Sequence, residues 1–177
     1  MNRISDYDRV ASEYDSHYVT PENLQEDREL AEMIGKIVAE GSTVLDIGCG
    51  TGLALDLVPV APKNYLGIDP SPKMLEVTRR KYPEHKTITS DYDSIVFSHV
   101  DVSLALFSGQ YISDEAKRRL PTQADRYLYI FYKPDYYPEW IYSKEDYDKI
   151  LAITDYEELG KMFDLQEWNN YLIAYKT

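Results

Sequence analysis

Cysteine is nearly absent: the 177 residues contain one, Cys49. No disulfide can close within the chain and no cysteine cluster can hold a metal, so a reducing, cytoplasmic setting is expected. Histidine is scarce too, and His17, His85 and His99 stand far apart without ligand spacing, so no metal site is expected. No run of about 18 apolar residues occurs, so no membrane span is expected. The opening Met1-Asn2-Arg3-Ile4-Ser5-Asp6 lacks the apolar core of a signal peptide. The Gly-x-Ser-x-Gly elbow of serine hydrolases is missing, as is the Gly-Lys-Ser or Gly-Lys-Thr of a Walker loop.

Positive charge is in deficit. Nineteen Lys and Arg face 31 Asp and Glu, a net charge of −12. Such a surface repels phosphate backbones, which argues against a nucleic-acid partner. The dense basic runs, Arg79-Arg80-Lys81 and Lys117-Arg118-Arg119, fall on expected helices and read as solvated faces. Tyrosine, by contrast, is plentiful at 17 residues. Its apolar body and polar tip suit half-buried packing, with a few rings lining a pocket. The length fits one domain, 1–177, with an N-terminal arm and helix over 1–40 and a core over 41–177.

The core is organised around Val44-Leu45-Asp46-Ile47-Gly48-Cys49-Gly50-Thr51-Gly52. Val44, Leu45 and Ile47 suit a strand buried on both faces. Three glycines at alternate positions follow, able to turn tightly and to let backbone approach a ligand. Leu53 to Val58 suits a short helix stopped by Pro59. Strand, glycine loop and helix N-terminus form the ligand crevice of doubly wound α/β folds. A second strand, Asn64 to Ile68, ends in Asp69, 23 positions after Asp46. That is close to the ~20-residue spacing at which an acid reaches a ribose hydroxyl pair. Ser71 then caps a helix with Pro72 in its first turn, running to Tyr82 before Pro83.

These two stretches, with Gly67-Ile68-Asp69-Pro70-Ser71-Pro72-Lys73-Met74-Leu75 as the second, resemble the class I S-adenosylmethionine-dependent methyltransferases. The resemblance implies a Rossmann-like doubly wound fold, with a mostly parallel seven-stranded sheet and an antiparallel C-terminal hairpin. It implies S-adenosylmethionine as cofactor, held by Asp46, Gly48, Cys49 and Gly50 in the loop and by Asp69, Pro70 and Met74 after the second strand. Lys86 to Thr89 reads as a third strand, and in the family an acid after it receives the adenine amino group. Asp91 matches that place, with Tyr92 next to it, while Asp93 competes and an Asx turn is the alternative. His99 to Phe107 reads as a fourth strand, which puts Phe107 and Ser108 at its ligand end. Tyr7 to Asp15 resembles the Ala-x-x-Tyr-Asp arm of small-molecule members, in which Tyr14 covers the cofactor's methionine end. Plain packing of the arm is the alternative.

Past the fourth strand the family signatures fade. Ser108-Gly109-Gln110-Tyr111 stands where amino-group methylases of DNA bases and glutamine carry Asp or Asn followed by Pro-Pro-aromatic. Cys49 lacks the preceding proline of a cytosine-attacking thiol. A helix is expected from Ser113 to Leu120 and a fifth strand from Arg126 to Lys133. Between them Leu120-Pro121-Thr122-Gln123-Ala124-Asp125 replaces the usual Leu-x-Pro-Gly-Gly. Pro134 to Trp140 reads as an aromatic loop, Ser143 and Thr154 as helix caps, and Asn169-Asn170 as a hairpin turn between Phe163–Trp168 and Tyr171–Lys176. The expected activity is methyl transfer to a small molecule by in-line displacement. A cofactor-binding module without catalysis and an RNA or protein methylase are the alternatives. If a base is needed, His17, Tyr18 and Tyr111, with Tyr14 beside them, are the candidates.

Overall fold

A computed structural model of the chain describes residues 3–136, 143–152 and 154–177. An arm helix, α1 (Arg3–Val10), and a tight turn at Asp15–Tyr18 lead into α2 (Pro21–Ile37). There the Thr20 hydroxyl accepts from the amide of Asn23, and Pro21 occupies the first turn. Then come β1 (Val44–Ile47), α3 (Leu53–Leu57), β2 (Tyr65–Asp69), α4 (Pro72–Lys81), β3 (Lys86–Thr89) and β4 (Val100–Ala105). The remainder is α5 (Asp114–Lys117), α6 (Leu120–Gln123), β5 (Ala124–Tyr132), α7 (Lys144–Leu151), α8 (Tyr156–Met162), β6 (Leu165–Trp168) and β7 (Tyr171–Lys176). The aromatic loop expected from Pro134 to Trp140 is described only as far as Tyr136.

The seven strands form one sheet in the order β3-β2-β1-β4-β5-β7-β6. The first five are parallel neighbours, while β7 runs antiparallel to both β5 and β6. Chain order therefore reverses between β1 and β4, and a crevice opens beyond their carboxyl ends. Side chains along β5 alternate between the two layers. Leu128, Ile130 and Tyr132 pack with Leu30, Ile34 and Ile150 on one face. Tyr129 and Phe131 pack with Leu159 and Phe163 on the other. The period of two follows from the pleat, and it explains why this strand is apolar throughout its second half.

Several expected boundaries move. The first long helix stops at Ile37 rather than at Gly41, because Val38 turns extended and Gly41 forms a separate left-handed turn. The helix expected over 113–120 is two four-residue pieces. Pro121 is the cause, since it has no amide hydrogen and its ring clashes with a preceding carbonyl. The cap of α8 is Asp155, whose carboxylate accepts from the amide of Glu158 at 3.0 Å, rather than Thr154. Asn169 adopts φ 51°, the left-handed conformation that its short polar side chain tolerates, and closes the β6–β7 hairpin. Among the described residues no helix is long and apolar enough to cross a membrane.

Candidate functional site: the crevice at the ends of β1 and β4

The chain leaves β1 through Gly48, Gly50 and Gly52, all with positive φ (69°, 53° and 97°). At Gly48 the glycine is obligatory on two counts. L-residues strain at this φ, and an added Cβ would lie 2.4 Å from the Cβ of Ser108. The amides of Gly48 and Cys49 both donate to the carbonyl of Ile68, at 2.8 and 3.0 Å, tying the loop to the end of β2. From that end Asp69 receives the amide of Gly50 on one carboxylate oxygen (3.0 Å) and that of Ser71 on the other (2.8 Å). Thr78 donates its hydroxyl to the carbonyl of Gly50 at 2.5 Å. The Gly48–Gly50 part of the loop is thus tied to β2 and α4.

Burial pushes the Asp69 carboxyl up to about 6, against the pull of its two backbone hydrogen bonds. Deeper still, Asp46 accepts from the Tyr65 hydroxyl at 2.7 Å. Burial pushes it up to about 7, with the Tyr65 hydrogen bond opposing and Asp69 reinforcing the rise.

The opposite lip comes from the turn after β4. Phe107 takes φ 56°, a conformation that a bulky residue adopts only under constraint. The constraints are on both sides. Ser108 donates to the carbonyl of Ile47 at 2.5 Å, and a Cβ on Gly109 would lie 2.5 Å from the Phe131 ring. The arm closes the top. Asp8 accepts from the Ser71 hydroxyl (2.6 Å) and from the amide of Lys73 (3.2 Å), at the positive end of α4. Tyr7 and Tyr111 share a hydroxyl–hydroxyl hydrogen bond of 2.9 Å, and Asp15 accepts from the Thr51 hydroxyl at 2.5 Å.

Between these walls lies a cavity of about 560 Å³, within the ~300–1,000 Å³ of small-molecule sites. A methyltransferase domain family matches the sequence over residues 44–129, the stretch that builds the loop, Asp69 and the β4 turn. Over just under half of its length the chain is similar to methyltransferase domains, and it has the fold of S-adenosylmethionine-dependent methyltransferases.

An uncharacterized methyltransferase of Bacillus cytotoxicus is 28% identical to this chain, over 82% of it and 71% of the relative. A second, from Bacillus velezensis, is 32% identical over 58% of the chain, which spans only 49% of that relative's length. Among solved structures, a TehB-like S-adenosylmethionine-dependent methyltransferase from Corynebacterium glutamicum shares the fold at 16% identity. The match covers 96% of this chain and 98% of that one, with a TM-score of 0.58.

Ten of the twelve residues expected around the cofactor line the cavity: Tyr14, Gly48, Gly50, Asp69, Pro70, Met74, Asp91, Tyr92, Phe107 and Ser108. Asp46 and Cys49 lie beneath its wall, both buried. Of the two competing acids, Asp93 is taken up by the hydroxyl and amide of Ser113. Asp91 accepts from the amide of Ser94 at 2.7 Å, an Asx turn, and both acids line the cavity. Tyr92 is buried, its hydroxyl donating to Gln123, and burial pushes it up to about 12.

The candidate bases separate. Tyr111 faces the cavity, Tyr18 lines a second cavity of about 290 Å³, and His17 is exposed and lines neither. The two cavities share Tyr14 and Phe107 as a wall. Sequence reasoning did not find Asp8, Ser71 and Ser113. Each acts across 20 or more positions of chain, and only the capping serines carried a local signal.

Proposed function

We propose that this chain binds S-adenosylmethionine in the larger cavity and transfers its methyl group to a small-molecule acceptor. The observation that carries the reading is the Gly48–Gly52 loop folded onto Asp69 at the point where strand order reverses. Gly48 and Gly50 present bare backbone to the cavity, so the residues fit a ligand laid against backbone. When bound, the cofactor supplies a methyl group already activated for in-line displacement.

The protein's own contribution is then positioning and shielding. Each oxygen of Asp69 spends one lone pair on a backbone amide and keeps another for a ribose hydroxyl. Asp91 stands where an adenine amino group would donate, and the backbone beyond it flanks the ring. Tyr14 and Phe107 close the end at which the acceptor must arrive. The arm, hydrogen-bonded through Tyr7, Asp8 and Asp15, serves as a cover that excludes water. Burial first, and Tyr18 second, hold the Tyr14 hydroxyl well above its ordinary range, so it acts there as a neutral wall rather than a base.

The acceptor is not a nucleic acid on this reading. Most of the two basic runs is engaged within the chain: Arg79 donates to Thr87, Lys81 to Asp15 and Asp56, Lys117 to Asp114, and Arg119 stacks over Tyr92. A buried lone Cys49 suits a reducing, cytoplasmic setting.

Incubation with S-adenosylmethionine and a panel of small metabolites, with S-adenosylhomocysteine release as readout, tests the activity. Turnover with at least one panel member is expected. Calorimetric binding of S-adenosylhomocysteine without turnover would make the chain a cofactor-binding module, and no binding at all would end the cofactor reading.

A further inference from the structure

We propose that the second cavity is the acceptor pocket and that it takes a small molecule carrying an organic ammonium group. That group is the handle the pocket holds while another, lone-pair-bearing atom of the molecule accepts the methyl group. The inference rests on the cofactor reading of the larger cavity, with which this one shares Tyr14 and Phe107. Anything bound against that shared wall stands beside the cofactor.

Charge gives the class of ligand. Four carboxylates line this cavity of about 290 Å³: Asp15, Glu26, Asp27 and Asp56. Lys81 bridges Asp15 and Asp56, at 3.0 and 2.5 Å. Glu26 accepts only a neutral amide hydrogen from Asn169, at 3.2 Å, and Asp27 forms no ion pair among the described residues. Burial raises both of these carboxyls above their ordinary range. Neighbouring acids add to it, Asp56 beside Asp27 and Glu29 and Asp27 beside Glu26. The side facing α2 is therefore short of positive charge.

The facing side is aromatic. Ring centroids run Tyr132 to Tyr136 at 4.9 Å, Tyr136 to Tyr171 at 5.5 Å and Tyr171 to Phe107 at 4.8 Å. Tyr14 and Tyr18, 5.2 Å apart, add two more rings. Aromatic faces are electron-rich and attract organic cations, which shed their water more readily than metal ions do. A second feature points the same way. Tyr132 is 3% exposed and lines the cavity, yet its hydroxyl has no hydrogen-bond partner among the described residues. A polar group on a ligand in the cavity would pair with it. Acids on one side, rings on the other and a waiting hydroxyl together select an amine-bearing molecule over an anion or a hydrocarbon.

The test compares choline with its neutral isostere 3,3-dimethyl-1-butanol, titrated by calorimetry into the full chain with and without S-adenosylhomocysteine. Choline is expected to bind at least tenfold more tightly. Asp27→Asn should weaken choline about tenfold and leave both the isostere and S-adenosylhomocysteine unchanged. Tyr136→Leu should weaken choline by a similar factor through loss of a ring face. Equal affinity for choline and the isostere, or no choline binding in a protein that binds S-adenosylhomocysteine, would overturn the proposal. Failure of S-adenosylhomocysteine to bind would instead remove the cofactor reading, while the choline comparison without it still decides the charge preference of the pocket.

Discussion

The floor of the larger cavity is glycine-loop backbone and small side chains from neighbouring turns, roofed by rings of the arm and the β4 turn, whereas its smaller neighbour is walled mostly by rings and acids from distant parts of the chain. In the first, Gly48, Gly50, Asp69 and Ser71 lie within a few dozen residues and are locked by amide hydrogen bonds. In the second, Tyr14 and Tyr171 sit near opposite ends of the sequence and meet only because β7 is inserted beside β5. A backbone-built site tolerates little change of shape where the chain packs as closely as at Gly48, whose Cβ would meet Ser108 at 2.4 Å. A side-chain-built site can change its preference by substitution while the fold stays. That division suits an enzyme fold in which the cofactor is constant and the acceptor varies.

The sharpest way to break the comparison is a side chain on the loop. Gly48→Ala places a Cβ 2.4 Å from Ser108 at φ 69°, so S-adenosylhomocysteine binding should be abolished while choline still binds next door. Gly50→Ala has φ 53° but meets only the end of Met74, at 3.6 Å, so it should keep measurable affinity. Gly50→Val, branched at Cβ, should lose it. Calorimetry on the three variants checks the ranking, and wild-type affinity in Gly48→Ala would discard the loop as the binding surface.

The acids of the two cavities differ as well. Asp46 is buried under the first and pushed up to about 7, whereas Glu26 and Asp27 are half-exposed in the second. Its folded pKa exceeds the unfolded value near 3.9, so the buried charge destabilises the fold. The cost is full above pH 7, shrinks as the folded state takes up its proton, and is gone near pH 4. Asp46→Asn keeps an oxygen for the Tyr65 hydroxyl and removes the charge. It should stabilise the chain by roughly 2–4 kcal/mol at pH 8 and by almost nothing at pH 4, measured by urea unfolding at both. A gain that does not vary with pH would mean that Asp46 is not the titrating group.

At Asp69 the charge has a task. Asp69→Ala deletes the acceptor of two amides and, on the proposed reading, of the ribose hydroxyls, and hydrogen bonds to charged groups are worth about 1.5–3 kcal/mol. Affinity for S-adenosylhomocysteine should fall roughly 10- to 100-fold. Unchanged affinity by calorimetry would take Asp69 out of the site.

What could be read in advance follows the same division. The stretch 44–75 announces itself because its chemistry is local: a strand pattern, glycines, one acid and a capping serine. The third strand, Lys86–Thr89, was expected at those residues and is found there. Local rules were also where expectation slipped, since Pro121 breaks a helix that periodicity extends to Leu120 and Asp155 displaces Thr154 as a cap. That Asp93 is engaged by Ser113 could not be read from the sequence, because the two lie 20 positions apart. The smaller cavity had no local signal at all. An excess of tyrosine was visible, but which rings face one another depends on strand order.

The smallest expected effect concerns the arm that covers both cavities, where the choice lies between a closing cover and simple packing. Tyr7→Phe removes the hydroxyl that meets Tyr111 at 2.9 Å and keeps the ring contacts with Tyr14 and Tyr111, at 6.2 and 6.0 Å. A neutral hydrogen bond of this kind contributes about 0.5–1.5 kcal/mol net. If the arm tightens when the cofactor binds, that loss appears in affinity, as a roughly 2- to 10-fold weakening of S-adenosylhomocysteine. Hydrogen exchange across residues 3–18 should then slow on ligand addition in the wild type and slow less in the variant. Asp8 and Asp15 still hold the arm at α4 and the glycine loop, so the variant keeps its fold and the second cavity its choline affinity. If the arm only packs, the same substitution lowers the melting temperature, leaves affinity alone and leaves exchange indifferent to ligand. The expected result is weakened affinity with ligand-dependent exchange, because Tyr7 reaches across the mouth of the cavity to a residue that lines it.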